Sequence, residues 1–94
     1  MALLSKSEID AQLKTLDGWT LDGQGHAIRK QFTFKGFPEA VAFVGRLVPG
    51  SEGADHHPDI TIHYRRVTLV YSTHSEGGVT EKDFAGAAMA DAQA

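Results

Sequence analysis

Five histidines stand in this chain of 94 residues, and four of them, His56, His57, His63 and His74, fall within nineteen positions. Glu52, Asp55 and Asp59 lie beside the first pair. Imidazole is the side chain best suited to give and take protons near neutral pH, so the cluster points to general acid–base work. The chain has no cysteine, which removes thiolate nucleophiles, thiolate metal sites and disulfides. A three-histidine zinc site is the competing reading. Spacing counts against it: neighbours such as His56 and His57 point to opposite faces of an extended strand. No His-x-His or His-x-x-x-His pair occurs, and His57 and His63 are six apart. Acid–base chemistry without a metal is therefore preferred. His26 and His63 read as ordinary, partly exposed polar residues.

A hairpin must bring the cluster together. Ile60, Ile62 and Tyr64 alternate, as do Val67, Leu69 and Tyr71, with Arg65-Arg66 between them as the turn. That register sets Tyr64 against Val67, Ile62 against Leu69 and Ile60 against Tyr71. Carried outward, it sets His57 against His74, at a Cα separation of ~4.5–5.5 Å. Pro58 restricts His57 to extended backbone. The expectation is that His56, His57 and His74 meet at the open end of one hairpin.

The remaining elements follow from spacing. Ser5 and Glu8 form a capping box, and Ile9, Leu13 and Leu16 give one helical face until Asp17-Gly18 stops it. Trp19 to Leu21 reads as extended, 22–25 as a turn, and Ala27 to Phe34 as a strand in which only Lys30 breaks the alternation. Pro38 opens a second helix striped by Phe37, Val41, Val44 and Val48, with Ala40, Phe43 and Leu47 beside them. Pro49-Gly50 is expected to break or kink it, leaving 51–55 open between a loop and a resumed turn. Thr80 and Asp83 form a second capping box for a last helix to about Ala92, with Phe84, Ala88 and Met89 inward. Trp19, Phe32, Phe34 and Phe43 are expected in the core. Residues 1–94 thus predict one α+β domain, a four-stranded antiparallel sheet with helices packed on one face.

Composition narrows the function. The net charge is −3, so direct nucleic-acid binding is not expected. No apolar run approaches the ~18 residues of a membrane span, and the start, MALLSKSEID, lacks a signal-peptide core; a cytoplasmic protein is expected. A chain this short buries only roughly 60–65% of its unfolded surface, so self-association would help it.

The full spacing carries more. Glu52, Asp55-His56-His57-Pro58, Tyr64, Ser72-Thr73-His74 and Asp83 span thirty-two residues. This pattern resembles the pterin-4a-carbinolamine dehydratase family, also called the dimerisation cofactor family. Leu16-Asp17-Gly18-Trp19, Leu21, the Arg29–Phe34 stretch, and Phe37 with Ala40, Phe43 and Val44 extend the likeness over essentially the whole chain. The resemblance implies an αββαββα fold and a cofactor-independent dehydratase. Its substrate would be a 4a-hydroxytetrahydropterin left by an aromatic amino acid hydroxylase, and its product the quinonoid dihydropterin of tetrahydrobiopterin recycling. It implies a homodimer or homotetramer. By similarity, His56 and His74 are the acid–base pair and His57 mainly binds substrate. Glu52 holds a proton-bearing histidine or a ring N–H, and Asp55 and Asp83 orient imidazoles. Pro58, Ser72 and Thr73 complete the expected binding set with His57, Asp55 and Asp83. The alternative is a non-catalytic interaction protein on the same fold, either a transcriptional cofactor or an assembly chaperone.

Overall fold

The computed structural model describes residues 2–22 and 24–94, so the expected turn at 22–25 lies partly outside the described residues. The elements run α1 (Lys6–Leu13), β1 (Thr20–Leu21), β2 (Ile28–Thr33), α2 (Phe37–Ala54), β3 (Asp59–His63), β4 (Arg66–Tyr71), a 3-10 turn (His74–Glu76) and α3 (Glu81–Gln93). The four strands form one antiparallel sheet, as the sequence predicts, in the order β1-β2-β4-β3. Among the described residues, no helix is long and apolar enough to cross a membrane.

Opposed residues of β2 and β4, Ile28 with Tyr71, Lys30 with Leu69 and Phe32 with Val67, share the face that the helices cover. All but Lys30 join Ile9, Trp19, Ala40, Phe43, Leu47, Phe84, Ala87 and Ala90 in one core. Lys30 breaks the alternation because its stem runs along the covered face while its ammonium reaches polar partners at the rim. Its ammonium donates to Asp91 Oδ1 at 2.9 Å and to the Asp17 carbonyl at 2.7 Å, and sits 4.7 Å from the Phe32 ring centroid.

Both capping boxes form. The first helix nonetheless ends at Leu13, and Leu16 packs from the turn beyond it. The expected break at Pro49-Gly50 does not occur: α2 continues through Pro49 to Ala54. Proline removes the hydrogen bond to Gly45, but both residues face solvent, where water can take that carbonyl. The buried stripe of α2 is Ala40, Phe43, Leu47 and Ser51, whereas Phe37, Val41 and Val48 are exposed. On α3, Ala87 and Ala90 face inward and Ala88 faces out.

The hairpin turn is also displaced. Ile62 pairs with Val67 and Ile60 with Leu69, so the loop is Tyr64-Arg65, with Tyr64 at φ 57°. The two registers differ by two residues and place the same side chains on the same face. Alternation alone therefore cannot choose between them. The Arg65 carbonyl accepts the Phe34 N–H at 2.9 Å, which ties the observed turn to the end of β2. In this register His57 does not oppose His74.

Candidate active site

Three chain segments build the site. The first is the end of α2, where Asp55 takes a left-handed conformation at φ 50° and donates its N–H to the Ser51 and Glu52 carbonyls. The His56 N–H donates back to Ser51 at 3.1 Å. This stop reverses the chain and delivers His56-His57-Pro58 to the start of β3. The second segment leaves β4 after Tyr71. Thr73 and Gly78 exchange backbone hydrogen bonds at 2.8 and 3.4 Å, closing a loop on which His74 begins the 3-10 turn. Gly77, at φ 75°, makes that closure where a side chain would be strained. The third is the N-terminus of α3.

Asp83 connects all three. Its Oδ2 accepts the Thr80 N–H and the Thr73 hydroxyl, each at 2.9 Å, and its Oδ1 accepts the His56 Nε2–H at 2.6 Å. The Thr73 proton is committed to Asp83, so Thr80 donates its own hydroxyl to Thr73 Oγ1 at 2.7 Å. The Asp83 side chain is fully buried and the His56 side chain 11% exposed. A buried carboxylate needs such donors, and the first turn of a helix favours its charge. A carboxylate accepting from Nε2 fixes the neutral His56 ring as the Nε2–H tautomer, which leaves Nδ1 with its lone pair. Beneath His56 lies Tyr71, its ring centroid 6.1 Å away and nearly parallel at 23°. Burial, and then the Asp83 charge, push the Tyr71 phenol up to about 12.

His56, His57 and His74 line one cleft of about 410 Å³, together with Asp55, Ser72, Thr73, Ser75 and Lys82. The three imidazoles meet, but through the α2 stop and the loop after β4 rather than through hairpin pairing. Three expected members do not line this cleft: Asp83 is fully buried behind His56 and cannot touch a substrate there, and Glu52 and Pro58 lie to one side. Glu52 and Pro58 line a separate apolar groove of about 280 Å³ with Val44, Leu47, Val48, Ser51, Ile60 and His57. Glu52 reaches the site only through His57, whose Nε2 lies 2.5 Å from its Oε2. His26 borders a neighbouring depression and accepts the Ser72 hydroxyl on its carbonyl at 2.7 Å. His63 is exposed, with Arg66 donating to its Nδ1 at 3.3 Å. Among the described residues, no three His, Asp or Glu side chains converge as metal ligands.

Sequence reasoning missed Lys82, Ser75 and the proximity of Tyr71 to His56. Lys82 carries a weak signal, since it sits inside the Thr80–Asp83 capping box beside the residue that orients His56. Tyr71 gives none, because a strand tyrosine reads as core.

The chain is thus an α+β protein, a half-covered antiparallel sheet with a carboxylate-oriented histidine cleft at one end. Comparison gives the family. The model for pterin 4 alpha carbinolamine dehydratase matches residues 2–93, and the chain belongs to that family. A Mycobacteroides abscessus protein named "Putative pterin-4-alpha-carbinolamine dehydratase" is 47% identical, covering 99% of this chain and 97% of its own. A Roseiflexus castenholzii protein of the same name is 51% identical over 96% of this chain and 95% of its own. Among solved structures, a transcriptional coactivator/pterin dehydratase from Brucella melitensis superposes with a TM-score of 0.93 at 40% identity, covering 97% of both chains. A pterin dehydratase-like protein identified as a RuBisCO assembly factor in the alpha-carboxysome aligns at 0.69 and 26% identity, over 81% of this chain and 88% of that one.

Proposed function

We propose that the cleft dehydrates a 4a-hydroxytetrahydropterin to the quinonoid dihydropterin. The observation that carries this reading is the gathering of His56, His57 and His74 around one cleft, with His56 held by a buried carboxylate. Hydroxide is a poor leaving group, so one imidazolium donates a proton to the 4a-oxygen as the C4a–O bond breaks. The N5 proton passes to a second imidazole, the N5 electron pair forms the C4a=N5 bond, and water leaves. We assign the base to His56, whose Nδ1 is free and whose acquired charge Asp83 lies 2.6 Å away to offset. His74 is the acid. His57, braced by Glu52, binds the pterin along with Asp55 and Ser72, while Thr73, its hydroxyl spent on Asp83 and Thr80, holds the Asp83 carboxylate. Each proton transfer of this kind contributes typically ~10²–10⁴-fold. The substrate would come from an aromatic amino acid hydroxylase.

We also propose a homo-oligomer. Phe37, Val41 and Val48 on α2 and Ile60 and Ile62 on the edge strand β3 are exposed apolar residues, and the outer edge of β3 is unpaired within the sheet. Light scattering should give a mass above one chain; a 10.1 kDa species at micromolar concentration would count against it.

The decisive assay generates the 4a-hydroxypterin with a hydroxylase and follows its decay with and without this chain. Acceleration is expected, falling at least ~tenfold in His56→Ala and in His74→Ala with circular dichroism unchanged. Equal rates in both variants and the wild type would falsify the acid–base assignment. The same exposed apolar face supports a second reading, an interaction protein, to which no acceleration at all would point. Such a protein has no use for an oriented histidine pair.

A further inference from the structure

Helix α3 carries alanine at 85, 87, 88, 90 and 92, and Gly86 stands between the first two. A glycine inside a helix costs ~1 kcal/mol relative to alanine, so its place here needs a cause. The cause is Tyr71. A Cβ on Gly86 would stand 2.8 Å from Tyr71 Cζ and 2.9 Å from Cδ1, and nearer still to Cε1. The contact is to the body of an aromatic ring with no exposed surface, packed between Trp19, 5.9 Å away, and His56. Either the ring or the helix would have to shift to admit that Cβ. Gly86 follows Asp83 by three positions, so both lie on the same face of α3. The Tyr71 hydroxyl is buried and has no hydrogen-bond partner among the described residues.

We propose that Tyr71 is a positioning residue of this site. Its ring, seated against Gly86, backs the His56 imidazole and holds α3 at the separation where the Asp83 carboxylate meets Nε2. The ring carries this role and the hydroxyl does not. In relation to activity the proposal rests on the reading of His56 as the base. Its structural core, the tie between the Tyr71 ring and the His56–Asp83 pair, does not.

The test uses Tyr71→Phe, Tyr71→Leu, Gly86→Ala and the double variant Gly86→Ala/Tyr71→Leu. The added methyl of the double variant refills part of the space the ring vacates, which keeps a folded variant available should Tyr71→Leu alone not fold. The first readout needs no substrate: the ring ¹⁵N shifts of His56 in the neutral state, which report its tautomer. The wild type and Tyr71→Phe should hold the Nε2–H form. Gly86→Ala and each folded variant lacking the ring should show a tautomer mixture. The second readout is steady-state kinetics. Tyr71→Phe should stay within ~twofold of wild type, whereas Gly86→Ala and the ring-less variants should lose ~tenfold or more in kcat with KM within ~twofold. A pure Nε2–H His56 in the ring-less variants would overturn the proposal, as would loss of that tautomer in Tyr71→Phe or its absence from the wild type. Should no variant or wild type act on the pterin, the ¹⁵N result still decides the positioning claim, and the dehydratase reading alone fails.

Discussion

The site contains two histidine–carboxylate pairs of nearly equal length in different surroundings. His56 and Asp83 meet at 2.6 Å with side chains 11% and 0% exposed; His57 and Glu52 meet at 2.5 Å with side chains 52% and 70% exposed. Length therefore does not separate them. The buried pair is locked by two threonines and a helix N-terminus, and removing one partner strands the other away from water. The exposed pair trades one hydrogen bond for another with solvent, and salt screens it. The first can fix a tautomer; the second can only bias where His57 rests.

Asp83→Ala should break this contrast hardest. It leaves the Thr80 N–H and Thr73 hydroxyl unpaired, and a loss of about 3–5 kcal/mol is expected in urea unfolding. Activity should fall with it, and Asp83→Asn should lower kcat more than it lowers stability. Next is the alkaline limb. Tyr71 is held neutral up to about 12 against an ordinary 10.0. Above pH 10 the unfolded chain releases this proton while the folded chain keeps it, so stability is full below 10 and declines from 10 to 12. The decline attributable to Tyr71 should be about 2–3 kcal/mol and absent from Tyr71→Phe, measured by unfolding at stepped pH.

Glu52→Ala should cost no more than ~1 kcal/mol, shrinking as sodium chloride is raised, with its main kinetic effect in KM. A stability or kcat loss like that of Asp83→Ala would show the exposed pair to be part of the proton machinery. The smallest effect belongs to the other capping box. Glu8 Oε1 accepts the Ser5 N–H at 2.8 Å, and these bonds hold the Glu8 carboxyl below its ordinary value. Its contribution is present above pH 4.5 and is lost as pH falls through the lowered folded value. Glu8→Gln should flatten that acid limb slightly and leave catalysis untouched.

Much of this was legible along the chain. The two capping boxes and the strand alternation depend on local periods of two and 3.6 residues. The candidate histidines were legible from their clustering, and the spacing from Glu52 to Asp83 from its resemblance to the family. The misreadings share one origin. Pro49 has a local rule against it, which the exposed side of α2 overrides. The Tyr64-Arg65 turn and the expected Arg65-Arg66 turn are equivalent in phase, and only pairing with β2 separates them. Ala88 and the α2 stripe needed to know which side the sheet lies on. Pro58 was grouped with the histidines by resemblance, but it lines the apolar groove beside the cleft, and only the course of the chain after the α2 stop decides that.

The sequence by itself determined the element types and the one-sided sheet, because these follow from neighbours a few residues apart. Only the tertiary structure decided which imidazole is oriented, by which carboxylate, and over which ring. Those contacts join residues such as His56 and Asp83, 27 positions apart, whose burial and separation are set by how α3 packs on the sheet.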